Sequence, residues 1–128
     1  LVLKCKRAAD KHRLLLSLNV SAFIPKPQTP FQRQPMADNE DIKKRFAMLE
    51  RTLPPRGIKV KTDNTDWGCI QAALARGDES LSSVIEQMDR VSLAGWRRAV
   101  KKQGLSTNDF ALRRFAASEV LPWYIVQM

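Results

Sequence analysis

The chain has 128 residues, 44% hydrophobic and 27% charged, enough to bury one core and too few for a complete eight-stranded α/β barrel. Its formal charge of +9 sits in one half: residues 1–62 hold 14 Lys and Arg against 5 Asp and Glu, whereas residues 63–128 hold 8 against 8. No apolar run approaches the roughly 20 residues that cross a bilayer, and the opening LVLKCKRAAD is too basic and broken for a signal peptide, so the expectation is a soluble, cytoplasmic protein with no membrane partner.

Residues 1–12 read as a short helix. Over 13–24, Leu14, Leu16, Leu18 and Val20 alternate with Leu15, Ser17, Asn19 and Ser21. That period predicts a strand with one apolar face and one that turns polar, suited to lining an interior that holds water or a ligand. PKPQTPFQRQP follows, with four prolines in eleven residues, which fixes φ repeatedly, removes backbone donors and predicts a stiff, irregular loop. Asp38 offers an N-cap, with Asp41 three residues on. Ile42, Phe46, Leu49 and Leu53 then recur at helical spacing up to Pro54-Pro55, which predicts a helix over 39–53. Gly57 and the alternating IKVK predict a short strand at 57–61, with Lys59 and Lys61 on one side.

From Asn64 onward the pattern is helical. Thr65 can cap a helix with Trp67, Ile70 and Leu74 on one face, stopped by Gly77 in a left-handed conformation. Ser80 begins a second with Leu81, Val84, Ile85, Met88 and Val91. Ser92 opens a third through Trp96, Ala99 and Val100 to Gly104, and a fourth is expected over about 107–118 with Phe110 and Phe115. Helices this short are marginal alone. Trp67, Ile70, Leu74, Leu81, Val84, Ile85, Met88, Trp96 and Phe110 are therefore expected to share one core. The fold class is α+β, mostly α, with residues 1–62 as one segment and 63–128 as a helical second. Stable sheets normally need three or more strands, so strand 13–24 is expected to seek neighbours elsewhere, in a second copy of the chain or in a larger sheet.

No catalytic constellation stands out. His12, between Lys11 and Arg13, reads as a solvated residue at a helix end. Cys5 and Cys69 lie far apart without metal-type partners and read as free thiols. The RGD at 76–78 reads as a helix C-terminus rather than an adhesion motif. The basic clusters LKCKR, DKHR, IKKR and IKVK lack interleaved aromatics, so a base-reading surface is weakly supported. Attraction to phosphates remains, and with it the alternative of a basic, RNA-associated binding module without catalytic activity.

Three segments occur in fixed order: SLNVSAF running into IPKPQTPFQ, then AALARGDESLSSVI, then LPWYIV. Together they resemble the C-terminal region of radical SAM proteins of the type that often carries a cobalamin-binding domain upstream. Ser21, Phe23, Pro25, Lys26, Pro27, Thr29, Pro30, Phe31 and Gln32 match the first element, Ala75 to Asp78 the second, and Leu121, Pro122 and Trp123 the third. Tyr124 stands where that family usually has an acid. The resemblance implies that 1–62 contains the last strand and a helix of a partial radical SAM barrel, and 63–128 a helical extension. It further implies S-adenosylmethionine and a 4Fe-4S cluster in the full-length parent, with or without cobalamin, and a cofactor-binding role there for Asn19, Ser21, Phe23 and Lys26. The chain lacks the family's C-x-x-x-C-x-x-C, so alone it is expected to hold no metal and to be inactive. Its expected partners are the missing N-terminal barrel portion, another copy through strand 13–24, or RNA.

Overall fold

The computed structural model describes residues 1–125; Val126, Gln127 and Met128, the end of the 63–128 segment, lie outside them. The order is α1 (Val2–Lys11), β1 (Leu16–Val20), a proline-rich loop, α2 (Asn39–Thr52), a 3-10 turn (Pro54–Arg56), β2 (Ile58–Thr62), α3 (Thr65–Arg76), α4 (Ser80–Glu86), α5 (Leu93–Lys102), α6 (Thr107–Ala111) and a second 3-10 turn (Pro122–Ile125). The class is α+β, mostly helical. No helix among the described residues is long and apolar enough to cross a membrane.

The two strands pair with each other, in parallel, with Leu16 opposite Ile58, Ser17 opposite Lys59, Leu18 opposite Val60, Asn19 opposite Lys61 and Val20 opposite Thr62. β1, α2 and β2 thus form a βαβ unit, the connection that parallel strands require. The expectation that strand 13–24 finds no neighbour within the chain is corrected on one edge: β2 supplies it. The strand is also shorter than the alternation suggested, because Leu15 is fully exposed and Leu14 mostly so, and Arg13 turns the chain at φ 54. Gly57, at φ 72, makes the corresponding reversal between the first 3-10 turn and β2, a conformation that glycine adopts without a Cβ penalty.

Capping explains most helix starts. Asp38 accepts from the Glu40 N–H, Asn64 from Trp67, Ser92 from Gly95 and Ser106 from Asn108. Asn64, not Thr65, therefore caps α3. Gly77 is extended (φ −76, ψ 179) rather than left-handed. Its lack of a side chain serves close approach, since a Cβ there would sit 2.3 Å from Leu81 Cδ1 and 2.8 Å from the Ala73 carbonyl oxygen.

Two apolar clusters hold the chain. The first joins Ile70 and Ala73 of α3 to Leu81, Val84, Trp96, Ala99 and Val100, with Met88, Leu93, Leu105 and Phe110 at its margin. The second joins Met36, Ile42 and Phe46 to Cys69, Ala72 and Ala111, so packing crosses the 62/63 boundary that charge suggests. The single nine-residue core is corrected: Trp67, Leu74 and Ile85 are exposed. Ala72 and Ala73, both fully buried, form the inward face of α3 and bring neighbouring elements close to its backbone. α6 ends at Ala111 instead of 118, and buried Phe115 lies beyond it in irregular chain.

Leu81→Ala should cost about 2–5 kcal/mol in urea unfolding, whereas Ile85→Ala, at an exposed position, should stay within about 0.5 kcal/mol. Equal losses from the two would contradict this packing.

Candidate functional site

The three segments that carry the family resemblance meet around Arg76. Its guanidinium is among the most buried groups of the protein, at 1% relative exposure. It donates to the carbonyl oxygens of Gln32 (3.1 Å), Phe110 (3.5 Å), Gln34 and Arg113, and lies 5.3 Å from the centre of the Phe115 ring. Phe115 packs edge-to-face on Trp123, whose indole N–H donates to Gln32 Oε1 at 2.9 Å. Backbone bonds from Met36 to Ala111 and from Phe115 to Arg33 complete the junction. Burial lowers the pKa of Arg76 from its ordinary value. An arginine is used here because its planar fork reaches several carbonyls at once. With Arg76 buried, the RGD tripeptide is not available as an adhesion motif. Asp78 accepts from the backbone N–H and the hydroxyl of Ser80, which hold its carboxyl below the usual range.

The proline-rich loop is tied at its other end by its own bonds. Thr29 Oγ1 donates to the Lys26 carbonyl at 2.7 Å, the Gln28 N–H donates to Gln32 Oε1 at 3.0 Å, and Pro25 is fully buried. Phe23 and Phe31, both exposed, pack edge-to-face with ring centres 5.5 Å apart.

At the carboxyl ends of β1 and β2 a pocket of about 340 Å³ opens, lined in part by Ser21, Asp63, Asn64, Trp67, Gly68 and Gln71. Ser21 donates to Asp63 Oδ2, and the Asp63 N–H bonds the Val20 carbonyl at 3.1 Å, which prolongs the ladder past the last strand residue. Of the four expected cofactor-binding residues, the structure brings Ser21 to this pocket. Asn19 lies exposed on the ladder, Phe23 against Phe31, and Lys26 at the loop start. Asp63, Asn64, Trp67 and Gln71 were not anticipated as pocket residues; the sequence signal was that Asp63 continues the Lys59–Lys61 alternation.

An iron-sulfur cluster does not fit the thiols of this chain. Cys5 is exposed on α1 and Cys69 buried in α3. Burial, then the carboxylates of Asp66 and Asp38, push the Cys69 thiol up, away from the thiolate a metal needs. Among the described residues no three His, Cys, Asp or Glu side chains gather as a metal-holding group.

No protein-family model matches the chain, and no solved structure matches it. Uncharacterized protein MJ0966 of Methanocaldococcus jannaschii is 34% identical over 71 residues, which are 56% of this chain and 16% of the archaeal protein.

Arg76→Ala should cost about 3 kcal/mol or more, because it leaves buried carbonyls without donors. Amide exchange of Met36 and Phe115 should accelerate selectively, and Arg76→Lys should fall between. Asp78→Ala should cost about 1 kcal/mol near neutrality, through loss of its bonds to Ser80. A carboxyl whose folded pKa is depressed adds stability above its unfolded pKa and loses it as pH falls through the folded one. The wild-type advantage over Asp78→Ala should therefore vanish below the ordinary aspartate range; an advantage that persists in strong acid would contradict a role for the Asp78–Ser80 bonds.

Proposed function

We propose that this chain is the C-terminal portion of a radical SAM enzyme, in which it completes the barrel and covers one end while performing no chemistry itself. The observation that carries the reading is the parallel βαβ unit in which, among the described residues, each strand pairs on one edge only. Parallel sheets are normally larger, and sheets of two strands are marginal. The free edge of β1 would take the preceding strand of the barrel. The convergence of the proline-rich loop, the ARGD turn and the Leu-Pro-Trp segment on one buried junction supports it further, because separate motifs of one family are expected to act together. The relative of which the matched stretch is 16% is also a far longer protein.

In this reading Ser21, Asp63 and Asn64 would hold S-adenosylmethionine at the carboxyl ends of the strands, the usual place for ligands of parallel sheets. The bound cofactor supplies a radical when a cluster held elsewhere in the parent reduces it. This chain's residues position and orient: Arg76 fixes the loop that leaves β1, and Asp63 holds the Ser21 hydroxyl. Asn19, Phe23 and Lys26 would reach the cofactor only with the rest of the barrel in place.

The test is the coding sequence upstream of Leu1. A C-x-x-x-C-x-x-C there, together with a stoichiometric 4Fe-4S absorbance in the anaerobically reconstituted longer protein and none in this chain alone, is the expected result. A longer protein without the cysteine triplet, or a stoichiometric cluster in the isolated chain, would overturn the reading.

A further inference from the structure

The β1–β2 ladder has two unlike faces. Leu16, Leu18 and Val20 with Ile58 and Val60 form the first; Ile58 is 1% exposed, Val20 packs beside Ile42 and Phe46 of α2, and Thr62 Oγ1 bonds Glu50 of α2. The register places Ser17 beside Lys59 and Asn19 beside Lys61 on the second, and the Ser21–Asp63 bond continues it. Ser17, Asn19, Ser21, Lys59, Lys61 and Asp63 are all exposed. This face contains no apolar side chain between Ser17 and Ser21 or between Lys59 and Asp63, so it offers nothing for a second hydrophobic layer to bury. Neither Lys59 nor Lys61 forms an ion pair among the described residues, so both ammonium groups are open to a ligand. Asp63 is engaged by Ser21 at the pocket end.

We propose that this polar face binds an anionic oxygen group, a phosphate or a carboxylate, and that the substrate of the enzyme inferred above carries such a group. The inference rests on that reading for the word substrate, and on the ladder alone for the anion. Two like charges at neighbouring positions on one face repel each other, and an anion lying between Lys59 and Lys61 relieves the repulsion while satisfying their donors. Ser17 and Asn19 supply uncharged hydrogen-bond donors on the adjacent strand.

The probe is inorganic phosphate, followed in separate titrations by succinate and by a uridine homopolymer RNA. Each is added to the 128-residue chain at constant ionic strength and followed by amide NMR shifts. Saturable shifts confined to Ser17–Ser21 and Lys59–Asp63 are expected with phosphate or succinate, and the tighter of the two identifies the group. Lys59→Met with Lys61→Met should weaken binding about tenfold, as loss of two exposed charge contacts implies, and the Arg pair should retain it. If the Met pair perturbs the spectrum globally, Lys59→Gln and Lys61→Gln singly must each weaken binding for the proposal to stand. Absence of saturable shifts, or RNA-induced shifts centred on α1 without a ladder response, would overturn it. Failure here with a cysteine triplet upstream removes this inference alone; anion binding without a triplet keeps the ladder and removes the enzyme reading.

Discussion

A buried cation organises this molecule. Arg76 is drawn out of water with no carboxylate paired to it among the described residues, an arrangement that is costly unless its donors are met. They are met by backbone carbonyls from the proline-rich loop and from the chain around α6, and by the face of Phe115. The loop's composition makes that solution apt. Four prolines strip 25–35 of amide donors, so donors from outside must satisfy its carbonyls, and a guanidinium supplies five in one plane. The neighbouring Gly77 then lets Leu81 approach the end of α3 closely, while Asp78 starts α4.

From that junction the rest follows by connection. Holding Gln32 and Gln34 sets Met36 beneath α3, and Met36 joins Ile42 and Phe46 in the cluster that seats α2. α2 in turn covers the apolar face of the strands, which leaves the Ser17, Asn19, Lys59 and Lys61 face open. Ser21, Ala22 and Ile24 beyond β1 and the start of α3 beyond β2 frame the pocket, with Phe46 of α2. Function, in this account, depends on a support lying well away from the polar face it serves.

The sequence shows where most helices begin, roughly where the strands lie and which side of β1 is polar, because period and capping are local properties. It did not reveal that β1 and β2 pair with each other. Neither strand's own pattern names a partner, and the short IKVK run carries only its alternation. Trp67 and Leu74 misled because large apolar residues were expected inward, whereas α3 buries alanines to bring its neighbours close. Phe115 falls inside the predicted 107–118 helix but lies in irregular chain at the Arg76 junction. Gly77 is extended rather than left-handed, and close packing explains its lack of a side chain. The segments matching the proline-rich, ARGD and Leu-Pro-Trp elements were visible one by one; that Arg76 and Gln32 join them depends on contacts spanning up to 91 positions.

The central claim is that the strand edges of this chain belong to a larger parallel sheet. Native-state amide exchange over residues 16–20 and 58–62 tests it most directly, measured on the dilute chain shown to be monomeric by sedimentation and on the longer protein that contains it. The account predicts that amides directed to the free edges exchange rapidly in the isolated monomer, while those facing the partner strand are slower, and that free-edge amides become protected in the longer protein. Slow exchange at every ladder amide in the dilute monomer, unchanged in the longer protein, would show a sheet already satisfied within these residues and would contradict the account.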